Sequence, residues 1–294
     1  AYLSIAKILK EHEMTEELLT LLSDPHALNF SWLSNSIYPS HLDRWSKFAL
    51  DYVKTILANE NLTKQNIAPA KALLDNLGVV EKSLSRIKPK KVVDGRPRSL
   101  PSPQQRFVMQ LTKFLQVNED WDNLATACES ALQRQIFDKD PNLKWILHRH
   151  ALALSHNDPT KALTVCNEFI KLESKPYSHL LRAEILLTLE RRDEALREVA
   201  HSLQIISNKD LPYITKNLAM IAELTDDIEV RKIHIQMLRS IRIEQGHKPS
   251  AEFEIAASEL GLPDPDEDFD ASLLRQAWDK INPRGVKNEY RHVP

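Results

Sequence analysis

Few residues in this 294-residue chain stand at spacings that could do chemistry, and each has a plainer structural use. Arg149 and His156 lie seven apart, which on a helix places both on one face. A guanidinium there could stabilise charge at a phosphodiester while the imidazole moves a proton. His156, however, falls at a predicted helix end beside Asn157, Asp158 and Pro159, where an imidazolium complements the helix dipole. His148 and His150 are two apart, hence on different helix faces, and no histidines stand four apart as a zinc helix requires, so no metal site is expected. Asp264, Asp266, Asp268 and Asp270 alternate as calcium-loop ligands do. The sixth position is Phe269 rather than glycine and the terminal glutamate is absent, so the simpler reading is an acidic loop leading into a helix. Cys128 and Cys166 read as small core residues, because a nucleophilic thiol needs exposure and a neighbouring base.

The Arg149-to-His156 spacing is similar to the Arg-to-His motif of the helical HEPN ribonucleases. That resemblance implies a cryptic RNase as the least favoured of three functions. Composition narrows the choice further. Glycine occurs five times in the whole chain, and no Gly-rich phosphate loop of either standard spacing exists, which argues against Rossmann, P-loop and β-rich folds. The formal net charge is −2 and the pI near 6.6, so there is no global attraction to nucleic acid or an anionic membrane. Two cysteines make neither a disulfide framework nor a zinc site alone, and free thiols point to a reducing, cytoplasmic setting. No apolar run approaches the ~18 residues of a membrane span, and the N-terminus lacks a signal-peptide layout, so no membrane partner is expected. No cofactor is expected either. A chain running from Ala1 to Pro294 without an initiating methionine reads as an excised piece, leaving room for a neighbouring domain.

Residues 88–103 break the helical pattern with four prolines, a glycine and five basic residues against one acid. Proline forbids helix continuation and favours extended chain, so this segment reads as a linker. Its Lys88, Lys90, Lys91, Arg96 and Arg98 are the candidate nucleic-acid contacts, since flexible basic segments neutralise phosphates. Interleaved aromatics for base stacking are missing, and a solvated linker is the favoured reading. Together with the acidic stretch near the C-terminus, the same patch could serve self-association.

Elsewhere hydrophobic periodicity predicts helices almost throughout. In residues 1–87 these span Tyr2 to His12, a second short helix with Leu18, Leu19, Leu21 and Leu22 ending before Pro25, a helix capped by Ser40, another from Thr63 closed by Gly78, and a last one from Val80 to Ile87. The Ser40 helix carries a stripe of Leu42, Trp45, Phe48, Ala49, Tyr52, Val53 and Ile56. After residue 103 the predicted helices pair: 107–117 with 120–135, 143–156 with 159–172, 177–189 with 193–206, and 213–224 with 228–245. A further helix runs from Ser250 to Leu260, and a last one centres on Leu273, Leu274, Ala277 and Trp278. Short turns force antiparallel neighbours. Trp45, Trp121, Trp145 and Trp278 fall on apolar stripes, whereas Trp32 lies in an irregular stretch.

The second helices of the pairs repeat a pattern: Trp121, Leu124, Cys128 and Ala131, then Ala162, Cys166 and Phe169, then Ala195, Val199 and Ser202. Leu124, Ala162 and Ala195 are 38 and 33 residues apart. This resembles the tetratricopeptide repeat family, whose period is about 34 residues. The best match is Leu180 to Leu196, with Ala183 and Ala195 where that family places small residues; Ala151 and Ala162 play these parts in the copy before it, and the fourth hairpin departs with Arg231. The resemblance covers about residues 104 to 245. It implies an all-α fold of antiparallel hairpins stacked as a right-handed superhelix over residues 104–261, preceded by a small helical domain at 1–87 and followed by an acidic loop, helix and tail at 262–294. It also implies a protein-interaction scaffold, non-enzymatic, holding a protein or peptide segment in a concave groove. Polar residues on the first helices are the candidate groove contacts: Lys144, His148, His179, Arg182, Lys216 and Asn217. A nucleic-acid accessory protein using the basic linker is the alternative.

Overall fold

A computed structural model describes residues 39–58, 64–93, 96–206, 215–264 and 271–283. The helices expected before residue 25, and Trp32, lie outside these. Among the described residues the fold is helical apart from one small hairpin: α1 (Pro39–Ile56), α2 (Lys64–Val79), β1 (Lys90–Val93), β2 (Arg96–Ser99), α3 (Pro103–Val117), α4 (Trp121–Gln133), α5 (Leu143–Asn157), α6 (Pro159–Leu172), α7 (Pro176–Thr188), α8 (Arg192–Gln204), α9 (Thr215–Leu224), α10 (Ile228–Glu244), α11 (Ala251–Glu259) and α12 (Ala271–Ile281). The chain forms two compact units, 1–153 and 154–294, divided inside α5.

In the first unit, Leu50, Val53, Leu73 and Leu77 of α1 and α2 are buried in one cluster with Phe107 of α3, Leu124 and Cys128 of α4, and Ile146 of α5. This shared core explains why the division does not fall at 88–103. That segment lies within the first unit and carries an antiparallel hairpin, with Lys90 opposite Ser99 and Lys91 opposite Arg98. The helix expected from Val80 to Ile87 is a single 3₁₀ turn, Glu81–Ser83, and α2 runs past Gly78 to Val79. Ser102 starts α3 through a capping box: its Oγ accepts from Gln105 N–H at 3.2 Å, and its own N–H donates to Gln105 Oε1 at 2.9 Å. Such a cap contributes about 1 kcal/mol.

Adjacent helices pack as in a helical repeat, α3 on α4, α6 on α7, α7 on α8, α8 on α9 and α9 on α10. The repeated positions are buried except Trp121, which is half-buried: Leu124, Cys128, Ala162, Cys166, Phe169, Ala195 and Val199 are fully buried. Two turns are the same local structure. Between α3 and α4, and again between α7 and α8, the central residue (Glu119, Glu190) has a left-handed φ of 55° or 60°. The next N–H reaches back to the final turn, from Asp120 to Leu115 O at 3.0 Å and from Arg191 to Leu186 O at 2.9 Å. This is the hydrogen-bond pattern that closes a helix C-terminus, made here without glycine.

The second unit buries Leu186, Val199, Leu203, Leu218, Leu238 and Ile241 together with Leu274 and Trp278 of α12. The last helix is therefore part of this core rather than an appended tail. His234 of α10 is fully buried beside it. Its Nδ1 lies 2.8 Å from the Val230 carbonyl and its Nε2 accepts from Trp278 Nε1–H at 2.9 Å, a pairing that fixes the neutral tautomer protonated at Nδ1.

Candidate functional site

The first unit holds an open groove of about 1000 Å³ formed by α1, α3 and the segment around the hairpin. The amphipathic α1 buries Leu42, Ala49, Leu50 and Val53. That leaves Asp43, Lys47, Asp51 and Lys54, spaced by threes and fours, as a polar stripe along the groove. Arg106, Met109 and Gln110 of α3 form another side, with Ile87, Pro89, Lys90, Lys91, Leu100 and Pro101 from the hairpin segment. The hairpin base is pinned. Leu100 N–H donates to Pro89 O at 2.8 Å, Ser85 N–H to Asp43 Oδ1 at 3.3 Å, and Arg86 Nε to Gln104 Oε1 at 2.8 Å.

Five cations and two carboxylates line this groove. Asp51 is taken by Arg106, whose Nη2 lies 2.6 Å from Oδ1, and Asp43 accepts from the Ser85 backbone. Lys47, Lys54, Lys90 and Lys91 are exposed and form no ion pair among the described residues. The surplus reaches Lys113 on α3. Its ammonium is pulled below the ordinary lysine range by burial and then by the nearby cations Arg149 and Lys54. Ile87 and Leu100 are 80% and 38% exposed, which gives the groove an apolar rim beside its charge.

Of the basic residues singled out from sequence whose side chains are described, Lys90 and Lys91 line the groove. Lys88 is committed elsewhere, its Nζ 2.7 Å from Asp140 Oδ2, a carboxylate 4% exposed. Arg96 and Arg98 belong to β2, and their side chains lie outside the described residues. Lys47, Lys54 and Arg106 were not singled out. Their signal was the lysine pair seven apart on the polar side of the α1 stripe, and an arginine one helical turn into α3.

The six residues expected to line a concave groove are scattered, and three are not on a surface at all. His179 and Arg182 are buried between α7 and α8, where Glu198 accepts from both: His179 Nδ1 lies 2.6 Å from Oε1 and Arg182 Nη1 2.7 Å from Oε2. Arg182 Nε also donates to Asn167 Oδ1 at 2.8 Å. Asn217 is buried and donates to Ser202 Oγ at 2.9 Å. These polar groups are inside because α8 supplies acceptors for them, so the expectation that they face a ligand is corrected. Lys216 is exposed and pairs with Glu184. Lys144 and His148 are half-buried on α5 around Trp145, the ammonium 5.3 Å from the indole centroid and the imidazole edge-on at 6.4 Å. Burial, then Arg149, pushes the His148 pKa down to about 4, so it is neutral near pH 7.

Ser174, His179 and Glu198 stand in the order of a proton relay, with Ser174 Oγ 2.9 Å from His179 Nε2. The imidazole is only 2% exposed, and Glu198 is shared with Arg182, so the trio clasps α7 to α8 rather than facing a substrate. Arg149 is likewise structural. Its Nη1 donates to Met109 O at 3.1 Å and Thr112 Oγ1 at 2.9 Å, and its Nε to Gln116 Oε1 at 3.2 Å, all on α3. Both thiols are buried, which pushes Cys128 and Cys166 up to about 12. Among the described residues no three metal-ligating side chains come together, and Asp264 alone of the alternating aspartates lies within them. No described helix is long and apolar enough to cross a membrane. No family model matches the chain, and neither a curated protein nor a solved structure is detectably similar to it.

Proposed function

We propose that this chain is a non-enzymatic protein-interaction scaffold that holds an acidic protein segment in the basic groove of its first unit. The observation that carries this reading is the groove itself: four exposed lysines, with no ion pair among the described residues, beside apolar Ile87 and Leu100. Such a surface attracts carboxylates at long range and offers apolar area for an anchor residue, the combination that gives protein interfaces both rate and grip. The tetratricopeptide-like pattern supports the same function class, with the hairpins stacked as a right-handed superhelix around the repeated buried faces. Two buried, unpaired thiols support a reducing, cytoplasmic setting.

Fluorescence anisotropy with labelled peptides tests the proposal. An acidic peptide carrying one aromatic residue binds, while neutral and basic peptides of equal length do not. Reversing Lys90 and Lys91 to glutamate weakens binding by about tenfold or more, because like charges then face each other. Single-stranded RNA binding as tightly as the acidic peptide, and lost on the same substitutions, would instead support a nucleic-acid accessory protein. Among the described residues the groove lining has no phenylalanine, tyrosine or tryptophan for base stacking, which favours the peptide.

A further inference from the structure

The groove has an electrostatic counterpart in the chain's own sequence. Residues 264–270 contain five carboxylates in seven positions, Asp264, Asp266, Glu267, Asp268 and Asp270, with Phe269 among them and no cation. Both flanks are tied to the second unit. The Pro263 carbonyl accepts from Arg239 Nη1 at 2.8 Å and that of Asp264 from Gln236 Nε2 at 3.3 Å. On the other side, α12 is held in the core through Leu274 and Trp278. A second molecule can present its groove to this segment in any orientation.

We infer that the acidic segment 264–270 of one copy docks in the basic groove of a second copy. The inference rests on the reading of the groove as a site for acidic protein segments, and names the partner. Lys47, Lys54, Lys90 and Lys91 face the five carboxylates, and Phe269 takes the apolar rim at Ile87 and Leu100. Because every molecule carries both halves, reciprocal exchange makes this contact twice and closes a two-fold dimer, whereas a one-way exchange would extend into a filament.

Charge reversal gives a test with an internal control. The variant Lys90→Glu/Lys91→Glu has an acidic groove and an acidic segment; Asp266→Lys/Glu267→Lys/Asp268→Lys has a basic groove and a segment with three lysines against two carboxylates. Lys90 and Lys91 are exposed, and circular dichroism checks that each variant folds. By sedimentation velocity the unchanged chain is a dimer at about 50 mM salt and dissociates about tenfold more readily at about 500 mM. Each variant alone is monomeric. Mixed in equal amounts they pair with one another, since both contacts regain opposite charges. A full chain that stays monomeric at every salt and concentration overturns the inference, as does association untouched by Lys90→Glu/Lys91→Glu or a mixture that fails to pair. If the chain is monomeric but a separate acidic peptide still binds the groove, self-pairing is wrong and the scaffold reading stands. If that peptide fails as well, both fall.

Discussion

Replacing Glu198 by glutamine tests the buried clasp between α7 and α8 more sharply than any other change. The carboxylate accepts from His179 at 2.6 Å and Arg182 at 2.7 Å, and the three side chains are 2%, 3% and 1% exposed for His179, Arg182 and Glu198. Glutamine keeps the shape but sets an NH₂ donor against one of these donors and removes the carboxylate charge that Glu198 offers the guanidinium. Breaking a buried charge pair from one side costs about 3–5 kcal/mol. The second unit carries its own reporter in Cys166, fully buried and unreactive until the surrounding helices open. Its labelling by a thiol reagent should accelerate on the order of 10² to 10³-fold, at about 1.4 kcal/mol per tenfold. Cys128, in the first unit, should keep its wild-type rate and serves as the control. Replacing the whole trio by apolar residues, as in His179→Leu/Arg182→Met/Glu198→Leu, should cost far less than Glu198→Gln alone, because no charge is then stranded. A Cys166 rate within threefold of wild type in Glu198→Gln would refute the reasoning, as would an equal acceleration at Cys128.

Burial pushes His234 down to about 4, below its ordinary 6.5. The folded state thus resists protonation, so stability from this site is complete above about pH 6.5 and falls as pH drops toward 4, by roughly 3 kcal/mol in all. His234→Gln should flatten that part of the urea-denaturation profile; an unchanged slope would contradict the assignment. Glu190→Gly and Glu119→Gly relieve a left-handed backbone and should each stabilise by about 0.5–1 kcal/mol, read as a rise in Tm. Arg149→Met removes three hydrogen bonds to α3 and should cost about 2–4 kcal/mol in the first unit, seen as faster Cys128 labelling.

The helices were legible because their apolar residues recur at threes and fours, and the repeated faces from Leu124 to Ser202 are the buried ones. The hairpin at 90–99 was not, although its signal was present. Asp94-Gly95 between two valines and the following arginine is a strong two-residue hairpin signal, and the flanking Pro89 and Pro97 obscure it by making the segment look like an extended linker. A two-stranded hairpin tolerates that proline, because both of its strands are edges. His179, Arg182 and Asn217 misled because polar residues on a first helix were read as outward-facing. Glu198, one residue before buried Val199 and three after Ala195, was the clue that an acid sits on the inner face of α8 and needs partners there. The groove was the least legible feature. It joins residues 43 to 54, 85 to 91 and 100 to 110, and no local period reveals that such stretches meet.

Hydrogen-exchange mass spectrometry of the full chain, with and without an acidic aromatic peptide, tests the central claim most directly. Slowed exchange is expected only over α1, the segment from Ser85 to Pro103 and the start of α3, and is lost in Lys90→Glu/Lys91→Glu. Protection that appears instead over α7 to α10, or survives the charge reversal, would contradict it.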